Sequence, residues 1–264
     1  MKCRPAAYRY NSKGGRAVTK QKPFGGINAL TLKCIAMALM LCDHLWATVV
    51  PGSHWLTAVG RLAYPIFAFQ MVESYFMTTD RKRLFKRLAV FALISEIPFN
   101  LMVSGSVIMP LHQNVVFTFL LALALVHRME LARGKAPLWR YLLRCAACAV
   151  LGFAGGYLFM VDYYGAGVLT VLAFYWTRGK KYSHLLQLAW LWYINTQLLG
   201  GFGWPVELFG TEIFISQQAL ALLALPLIWL YNGKRGAHSR AIQRAYYAFY
   251  PVHMLVLALW AMLL

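Results

Sequence analysis

Acidic residues are scarce in this chain: 8 Asp and Glu stand against 26 Lys and Arg in 264 residues, and all charged residues make up only 13%. A soluble domain has about 25% charged and roughly 45–50% apolar residues, whereas 60% of this chain is apolar. The five cysteines are too few and too scattered for a secreted scaffold stabilised by disulfides. These shortages exclude both classes, and the mean hydropathy of +0.55 favours a membrane protein.

Apolar stretches long enough to cross a bilayer recur along the chain. A spanning helix needs about 20 mainly apolar residues, and the pattern predicts an all-α, polytopic transmembrane bundle of about nine helices. The predicted helices cover residues 28–50, 55–78, 85–104, 113–131, 138–160, 164–177, 183–200, 213–231 and 245–264. Residues 1–27 are polar and basic, and we predict a flexible cytoplasmic tail there, with the transmembrane domain occupying residues 28–264.

The basic residues alternate between the breaks that separate these helices. All but two of the 26 lie in the N-terminal segment or in every second break. The other breaks, at 51–54, 105–112, 161–163 and 201–212, contain no Lys or Arg. The positive-inside rule then predicts a cytoplasmic N-terminus, an external C-terminus and nine crossings. Because topology and attraction to membrane lipid account for the net charge of +18, we predict no nucleic-acid partner.

Several charged and imidazole side chains nevertheless fall inside predicted helices. They are Lys33, Asp43, His44, Arg61, Glu73, Glu96 and His253. A charged residue at the centre of a spanning helix costs roughly 2.5–3.5 kcal/mol to insert, so such residues usually face a cavity or a partner. Two interpretations stay open at this point: a structural ion-pair network between helices, or a functional site.

Lys33 and His44 lie on one face of the first predicted helix. Eleven residues return to within about 20° of the same direction and advance about 16 Å along the axis. Lys33 is then near the cytoplasmic mouth and His44 lies deeper. A long, thin carrier that is rich in phosphate, such as coenzyme A, suits this geometry. The basic residues of the next cytoplasmic break, Arg81, Arg83 and Arg87, extend the predicted phosphate-binding surface.

The spans predict that Arg61, Glu96 and Asn114 lie at the depth of Asp43 and His44, and that His253 lines the same cavity. Acyl transfer needs such a set: an imidazole base, a carboxylate that orients it, and a cation or amide that stabilises the oxyanion. A proton relay uses the same residue types. A proton-coupled transporter or flippase is therefore the alternative hypothesis, and a non-catalytic membrane assembly factor is a third one. No spacing of His and Cys predicts a metal site.

Five blocks of sequence resemble the TraX family, bacterial membrane proteins associated with N-terminal acetylation of conjugative pilin. The blocks are residues 32–37 leading to Asp43-His44, 60–69, 87–88 with 95–99, 113–118, and 250–253. The chain is also distantly similar to the wider integral-membrane acyltransferases, in which an Arg, ten residues and a His mark the first helix. Lys33 replaces that Arg here, and it lacks the bidentate fork of a guanidinium. The resemblance implies a multi-pass protein of the bacterial inner membrane.

Residues and resemblance together predict a membrane N-acetyltransferase or O-acyltransferase that depends on acyl-CoA, with acetyl-CoA as the leading co-substrate and no metal. The acceptor is an amine or hydroxyl of a protein, such as a pilin N-terminus, or of a sugar or lipid. We expect His44 to act as base or transient acyl carrier, Asp43 or Glu96 to orient it, Arg61 and Asn114 to stabilise charge or position the acceptor, and His253 to line the cavity. We expect Lys33, Arg81, Arg83 and Arg87 to hold coenzyme A.

Overall fold

The computed structural model describes residues 26–208 and 210–264, and this part of the chain is almost entirely helical. Its ten α-helices are α1 (Ala29–Thr48), α2 (His54–Gly60), α3 (Ala63–Met77), α4 (Arg81–Ser104), α5 (Val115–Ala132), α6 (Leu138–Leu158), α7 (Tyr164–Thr177), α8 (Ser183–Tyr193), α9 (Ala224–Trp229) and α10 (Arg240–Ala261). A π-helical turn, Ile194–Leu198, extends α8, and a 3₁₀ segment, Gln217–Leu223, precedes α9. Two strands, β1 (Gly203–Leu208) and β2 (Thr211–Ser216), form an antiparallel hairpin between them.

The all-α prediction is confirmed for most of the described chain, with two differences. The predicted helix at 55–78 is divided into α2 and α3 by a turn at Arg61 and Leu62. The predicted helix at 213–231 was wrong at its start, because residues 211–216 form β2 and helical structure begins only at Gln217. A short apolar run carries no periodicity that separates a strand from a buried helix. Gly210, with a φ of 76°, allows the tight connection between the strands.

Helix α7 is the centre of the bundle. It packs against α3, α5, α6 and α8, and most of its residues are buried, including Val168, Val171 and Leu172. Small residues at its start allow close approach, since the backbone of Gly165 lies against Gly156 of α6. On one side of this core α1 packs against α2, α3 and α10, and α4 packs against α5 and α10. The fold therefore brings the first and last helices together.

The outer surface of the bundle is apolar. Large exposed side chains line α4, α6 and α10, among them Leu93, Ile94, Leu142, Leu143, Val150, Leu151, Val252 and Val256. A soluble monomer rarely exposes so extensive an apolar surface. Helices α1, α4, α5 and α6 are long and apolar enough to cross a membrane, judged by length and composition. These features identify a membrane-associated helical bundle, whereas the nine crossings and their orientation stay predictions.

Contacts between loops divide the bundle into two ends. At the first, which we name the basic end, the backbone of Ala29 bonds to Lys234 at 2.8 Å and Glu73 pairs with Arg178 at 2.7 Å. At the second, named the acidic end, Gln113 bonds to Met160 at 2.9 Å, and the breaks without Lys or Arg lie there. The sequence alternation of charge therefore corresponds to a spatial separation.

The start of the described chain is tied to the bundle. Ile27 forms an isolated β-bridge with Tyr231, and Asn28 caps α1 by accepting a hydrogen bond from the Thr31 amide at 3.0 Å. Ile27 thus contacts the folded domain, although the predicted tail extends to residue 27. Residues 1–25 of the predicted tail lie outside the described residues.

The contact between α6 and α7 generates a stability prediction. A methyl group on Gly156 would lie 2.5 Å from the backbone nitrogen of Gly165, whereas one on Gly155 would first meet a Leu121 methyl at 3.5 Å. We expect Gly156→Ala to lower the free energy of unfolding by about 1–3 kcal/mol through overpacking. Thermal unfolding of the purified protein in detergent measures the effect.

Gly155→Ala is the matched control for that substitution. It adds the same methyl group one residue away and removes the conformational freedom of a helical glycine, so we expect a change of about 0.5–1 kcal/mol in the stabilising direction. Equal melting temperatures for the two variants would contradict the proposed close packing of α6 on α7.

Candidate active site

A cavity of about 500 Å³ lies at the acidic end of the bundle. Its walls come from α1, α3, α4 and α10 and from the loops around Asp162 and Gly201. Asp43, His44 and Arg61, three of the predicted site residues, line it together. Aromatic rings form much of the remaining wall, among them Trp46, Tyr64, Phe67, Phe99, Tyr163 and Phe202. The cavity thus combines a few polar groups with an apolar lining, which is typical of ligand sites.

His44 is paired with His253 of α10. The His44 Nδ1 and His253 Nε2 atoms are 2.8 Å apart, and the two rings are nearly coplanar, with centroids 5.0 Å apart and an interplanar angle of 5°, as a hydrogen bond in the ring plane requires. The His253 Nδ1 atom lies 2.6 Å from the carbonyl oxygen of Phe249, one turn earlier in α10. The prediction that His253 lines the cavity was wrong, because Tyr250 is the lining residue of α10; His253 instead contacts His44 by a direct hydrogen bond between the first and last helices.

The carbonyl of Phe249 determines the tautomer of both rings. Because a carbonyl only accepts, His253 Nδ1 must carry a proton, and the Nε2 of neutral His253 is then an acceptor. His44 Nδ1 must therefore be the donor of the 2.8 Å bond. Neutral His44 consequently has an unprotonated Nε2, with a lone pair available to a ligand. This arrangement is the one that a general base or a nucleophile needs.

Asp43 holds Arg61 and does not hold His44. The Asp43 Oδ1 atom accepts hydrogen bonds from Arg61 Nη2 at 2.5 Å and from the Thr57 hydroxyl at 2.7 Å. Gly60 makes this approach possible, because a side chain on it would overlap the Cβ atom of Asp43. His253 thus provides the orienting contact to His44 that we expected from Asp43 or Glu96.

Arg61 is held on several sides. Its Nε bonds to the Thr57 carbonyl at 3.3 Å, and its Nη1 bonds to Gln218 at 3.4 Å. Gln218 in turn donates to Asn195 at 2.9 Å, in the π-helical turn after α8. The bonds of the guanidinium leave one Nη1 hydrogen without a partner among the described residues. A rigid cation with a spare donor therefore lines the cavity.

Glu96 and Asn114 pair with each other outside the cavity lining. The Asn114 amide group donates to Glu96 Oε2 at 2.5 Å and to the Ala92 carbonyl at 2.9 Å. Asn114 also caps α5 by accepting a hydrogen bond from the Val116 amide at 3.0 Å. The structure therefore places this pair between α4 and α5, where it joins two helices and does not contact His44.

A second polar pair at the cavity was missed from the sequence. His112 Nε2 lies 3.3 Å from Asp162 Oδ1, and both residues line the cavity. This hydrogen bond to the carboxylate raises the pKa of His112 above its ordinary value. The loop is strained as well, since Met160, Tyr163 and Tyr164 all have positive φ. Asp162, the single acidic residue in the short break at 161–163, was the signal that could have identified this pair.

The predicted coenzyme A residues lie at the basic end. The Lys33 ammonium sits 3.9 Å from the centre of the Tyr246 ring, and the Arg81 guanidinium lies 4.7 Å from that of Tyr75. Arg83 pairs with Asp80 at 3.5 Å on the exposed surface, and Arg87 lies on α4. Lys33 and His44 both contact α10, as expected for one helix face.

The cavity does not extend from His44 to Lys33. Its lining on α1 ends at Met40, seven residues and about 10 Å from Lys33.

The described residues include no group of three or more His, Cys, Asp and Glu side chains that could hold a metal ion.

Comparison with known proteins identifies the family of this chain. The model of the family described as "TraX protein" matches residues 29–261. The chain belongs to the TraX family. Over 249 residues it is 30% identical to "Probable fimbrial assembly protein FimC, serogroup H1" of Dichelobacter nodosus, covering 87% of this chain and 94% of that relative. No solved structure matches the chain.

The TraX resemblance inferred from the sequence is thereby confirmed, and the match covers every described helix. All five of its sequence blocks meet at the cavity. In chain order they supply Asp43 and His44, Gly60 and Arg61, Phe99, Val115 and Tyr250. The TraX match begins at residue 29, so the basic tail is outside it.

The pair of His112 and Asp162 generates a prediction of pH dependence. Because the pKa of His112 is raised in the folded protein, the pair stabilises the fold fully below the unfolded histidine value of about 6.5 and loses this contribution as the pH rises through the folded value. We expect Asp162→Asn to lower the melting temperature more at about pH 6 than at about pH 9. Thermal unfolding in detergent at the two pH values measures this.

The control places Asp162→Asn in a His112→Gln background, where no titrating partner remains. There the effect of the substitution should be independent of pH over the same interval. A loss of equal size at both pH values in the wild-type background would contradict the assignment.

Proposed function

We propose that this protein is an integral-membrane acyltransferase that moves an acetyl group from acetyl-CoA to an amine or hydroxyl acceptor, with a pilin-type protein N-terminus as the leading acceptor. The observation that carries the proposal is the free Nε2 of His44 at the cavity, which follows from the chain of hydrogen bonds through His253 to Phe249. Membership in the TraX family, and a relative whose name refers to fimbrial assembly, support the choice of acceptor.

The proposed reaction uses His44 Nε2 as base and then as acid. The acceptor nitrogen attacks the thioester carbonyl carbon, a C–N bond forms, and the carbonyl electron pair moves onto oxygen. His44 Nε2 takes the proton that the nitrogen loses. The C–S bond then breaks as the carbonyl re-forms, and His44 returns the proton to the leaving thiolate. The alternative role of His44 as a transient acyl carrier uses the same lone pair.

His253 is proposed to stabilise the charged state of His44. When His44 Nε2 gains a proton, its Nδ1–H continues to donate to His253 Nε2, and the bond becomes charge-assisted. A carboxylate in this place would stabilise the imidazolium more strongly. It would also have to be desolvated as a net charge near the membrane interior. A neutral imidazole avoids that cost in the resting enzyme.

Arg61 is proposed to stabilise the oxyanion of the tetrahedral intermediate. Donors that are already oriented need no rearrangement when charge develops, and they act strongly where water is excluded. Asp43, Thr57 and Gln218 supply this orientation. The apolar wall at Met40 and Phe67, which closes the cavity toward the basic end, favours a short acyl group over a long one.

Lys33, Arg81, Arg83 and Arg87 are proposed to bind the phosphates of coenzyme A at the basic end. This requires the basic end to face the cytoplasm of a bacterial cell, with the N-terminus inside and the acidic end outside, as the positive-inside rule predicts. Because the cavity ends at Met40, the pantetheine arm would reach His44 only where the contact between α1 and α10, bounded by Lys33 and His44, opens.

The central test is the His44→Ala variant. Loss of the base should lower acetyl transfer by about 100-fold or more, since general acid–base catalysis contributes roughly 10²–10⁴-fold. The purified protein is incubated in nanodiscs with radiolabelled acetyl-CoA and amine-bearing peptides, and label in the peptide is counted.

Two further variants distinguish a catalytic from a structural effect. His253→Phe keeps a ring that can stack on Phe249 but removes the acceptor for His44 Nδ1, so we expect slower transfer and a changed pH–rate profile at a temperature where both proteins remain folded. His54→Ala is the control, because His54 stacks on Phe202 at 5.8 Å but does not line the cavity. Wild-type transfer by His44→Ala would remove His44 from the mechanism.

A proton-coupled transporter or flippase is the second candidate, and one observation favours it. Glu96 Oε1 is buried without a hydrogen-bond partner among the described residues, and such a carboxyl oxygen suits a proton relay. Flux in proteoliposomes that follows a pH gradient and needs no acyl-CoA, together with loss of flux in Glu96→Gln, would favour transport over acyl transfer.

A further inference from the structure

The β-hairpin is anchored at the cavity by both of its strands. Phe202 immediately precedes β1, Gln217 immediately follows β2, and both residues line the cavity. The Gln217 amide donates to the Phe202 carbonyl at 2.8 Å and so closes the ladder at this end. A ligand bound along the hairpin would therefore lead directly to His44.

The two edges of the hairpin differ in what they offer a partner. Residues 202 and 217 form a hydrogen-bonded pair, so the alternation of an antiparallel ladder makes the pair of Pro205 and Phe214 a non-hydrogen-bonded one. The backbone groups of such a pair point away from the hairpin. Pro205 has no N–H and interrupts the β1 edge, whereas Phe214 leaves an outward N–H and C=O on β2. Neither strand pairs with a third strand in residues 26–208 and 210–264.

The hairpin also carries an uncompensated negative charge. Glu207 lies directly opposite Glu212 in another non-hydrogen-bonded pair, where side chains approach most closely. Like charges in this arrangement destabilise a hairpin. Neither glutamate has an ion-pair partner among the described residues, and both are exposed. A cationic ligand would relieve this repulsion.

We propose that the β2 edge and the Glu207–Glu212 pair bind the acceptor, which is an extended, cationic polypeptide segment with its amino terminus at the cavity. This inference rests on the proposed acyl transfer. Because β2 runs from the hairpin tip toward Gln217, a peptide paired antiparallel to it runs outward from the cavity. Its first residues then lie near His44, and a basic residue several positions later meets the glutamates.

The observations favour a peptide over a sugar or lipid acceptor. A sugar offers no regular backbone donors and acceptors for a strand edge, whereas main-chain bonds are what β-augmentation supplies. Anionic lipid headgroups would be repelled by Glu207 and Glu212. A polypeptide that carries Lys or Arg fits both the open edge and its charge.

The test compares a long and a small acceptor. The long one is a synthetic peptide of about twelve residues with a free amino terminus and lysines near its middle, enough to enter the cavity and follow the strand of about 20 Å. The small one is alaninamide. Phe214→Pro removes the outward N–H, and Phe214→Ala is its matched control, since both remove the aromatic ring. Transfer is measured with the full-length protein in nanodiscs.

We expect Phe214→Pro to raise the KM for the long peptide by about tenfold relative to Phe214→Ala, a difference of about 1.4 kcal/mol. Neither substitution should change kcat or transfer to alaninamide. The double variant Glu207→Gln/Glu212→Gln should raise the KM for the long peptide several-fold at low salt and little at high salt. It also provides a variant that leaves the backbone of the hairpin unaltered.

An unchanged KM in both Phe214→Pro and the double glutamine variant would overturn the docking proposal. Equal loss of transfer to the peptide and to alaninamide would overturn it as well, because the hairpin would then act on the site itself. If the effect of the double glutamine variant follows the charge of the nanodisc lipids and not the charge of the peptide, the surface contacts lipid and the proposal is wrong.

Binding separates this proposal from the proposed reaction. Fluorescence anisotropy of the long peptide, labelled at its carboxyl end, reports docking without catalysis. Tighter binding to wild type than to Phe214→Pro supports docking even if no acetyl group is transferred, in which case the proposed function alone fails. Equal binding to both proteins overturns docking even if transfer occurs.

Discussion

Polar groups among apolar helices must bond to one another, and the candidate site depends on this constraint. Hydrocarbon offers no hydrogen bonds, so an unpaired charge there costs several kcal/mol. Asp43 and Arg61 meet this requirement through a direct ion pair, which forms because Gly60 lets α2 approach α1 without a side chain in between. The pair in turn fixes the guanidinium at the wall of the cavity.

The contact between His44 and His253 solves the same problem without net charge. Two neutral imidazoles and a backbone carbonyl satisfy each other's donors and acceptors, and they leave one ring nitrogen free. A carboxylate would accept a stronger hydrogen bond from His44 but would add a second anion beside Asp43. The first and last helices are thus joined at the residue on which the proposed chemistry depends.

The two ends of the bundle have opposite chemical characters. Lysine and arginine gather at one end, and the cavity, the strained loop around Asp162 and the acidic hairpin gather at the other. An acyl donor bearing phosphates suits the first end, and a cationic acceptor suits the second. His44 lies between them, close to the acidic end, where the cavity opens.

Composition, apolar run length and the alternation of charge determined the helical class, most helix positions and the grouping of Asp43, His44 and Arg61. These properties are local or periodic, and a helix converts them into depth and face. The partner of His44 was decided by tertiary structure, because Asp43 and Glu96 are equally plausible at that depth until packing assigns Asp43 to Arg61 and Glu96 to Asn114. The roles of Gln218, Asn195 and Asp162 depended on turns whose geometry is not periodic. The hairpin likewise lies where a short apolar run could form a strand or a helix. Pairing of β2 with β1 decided between the two.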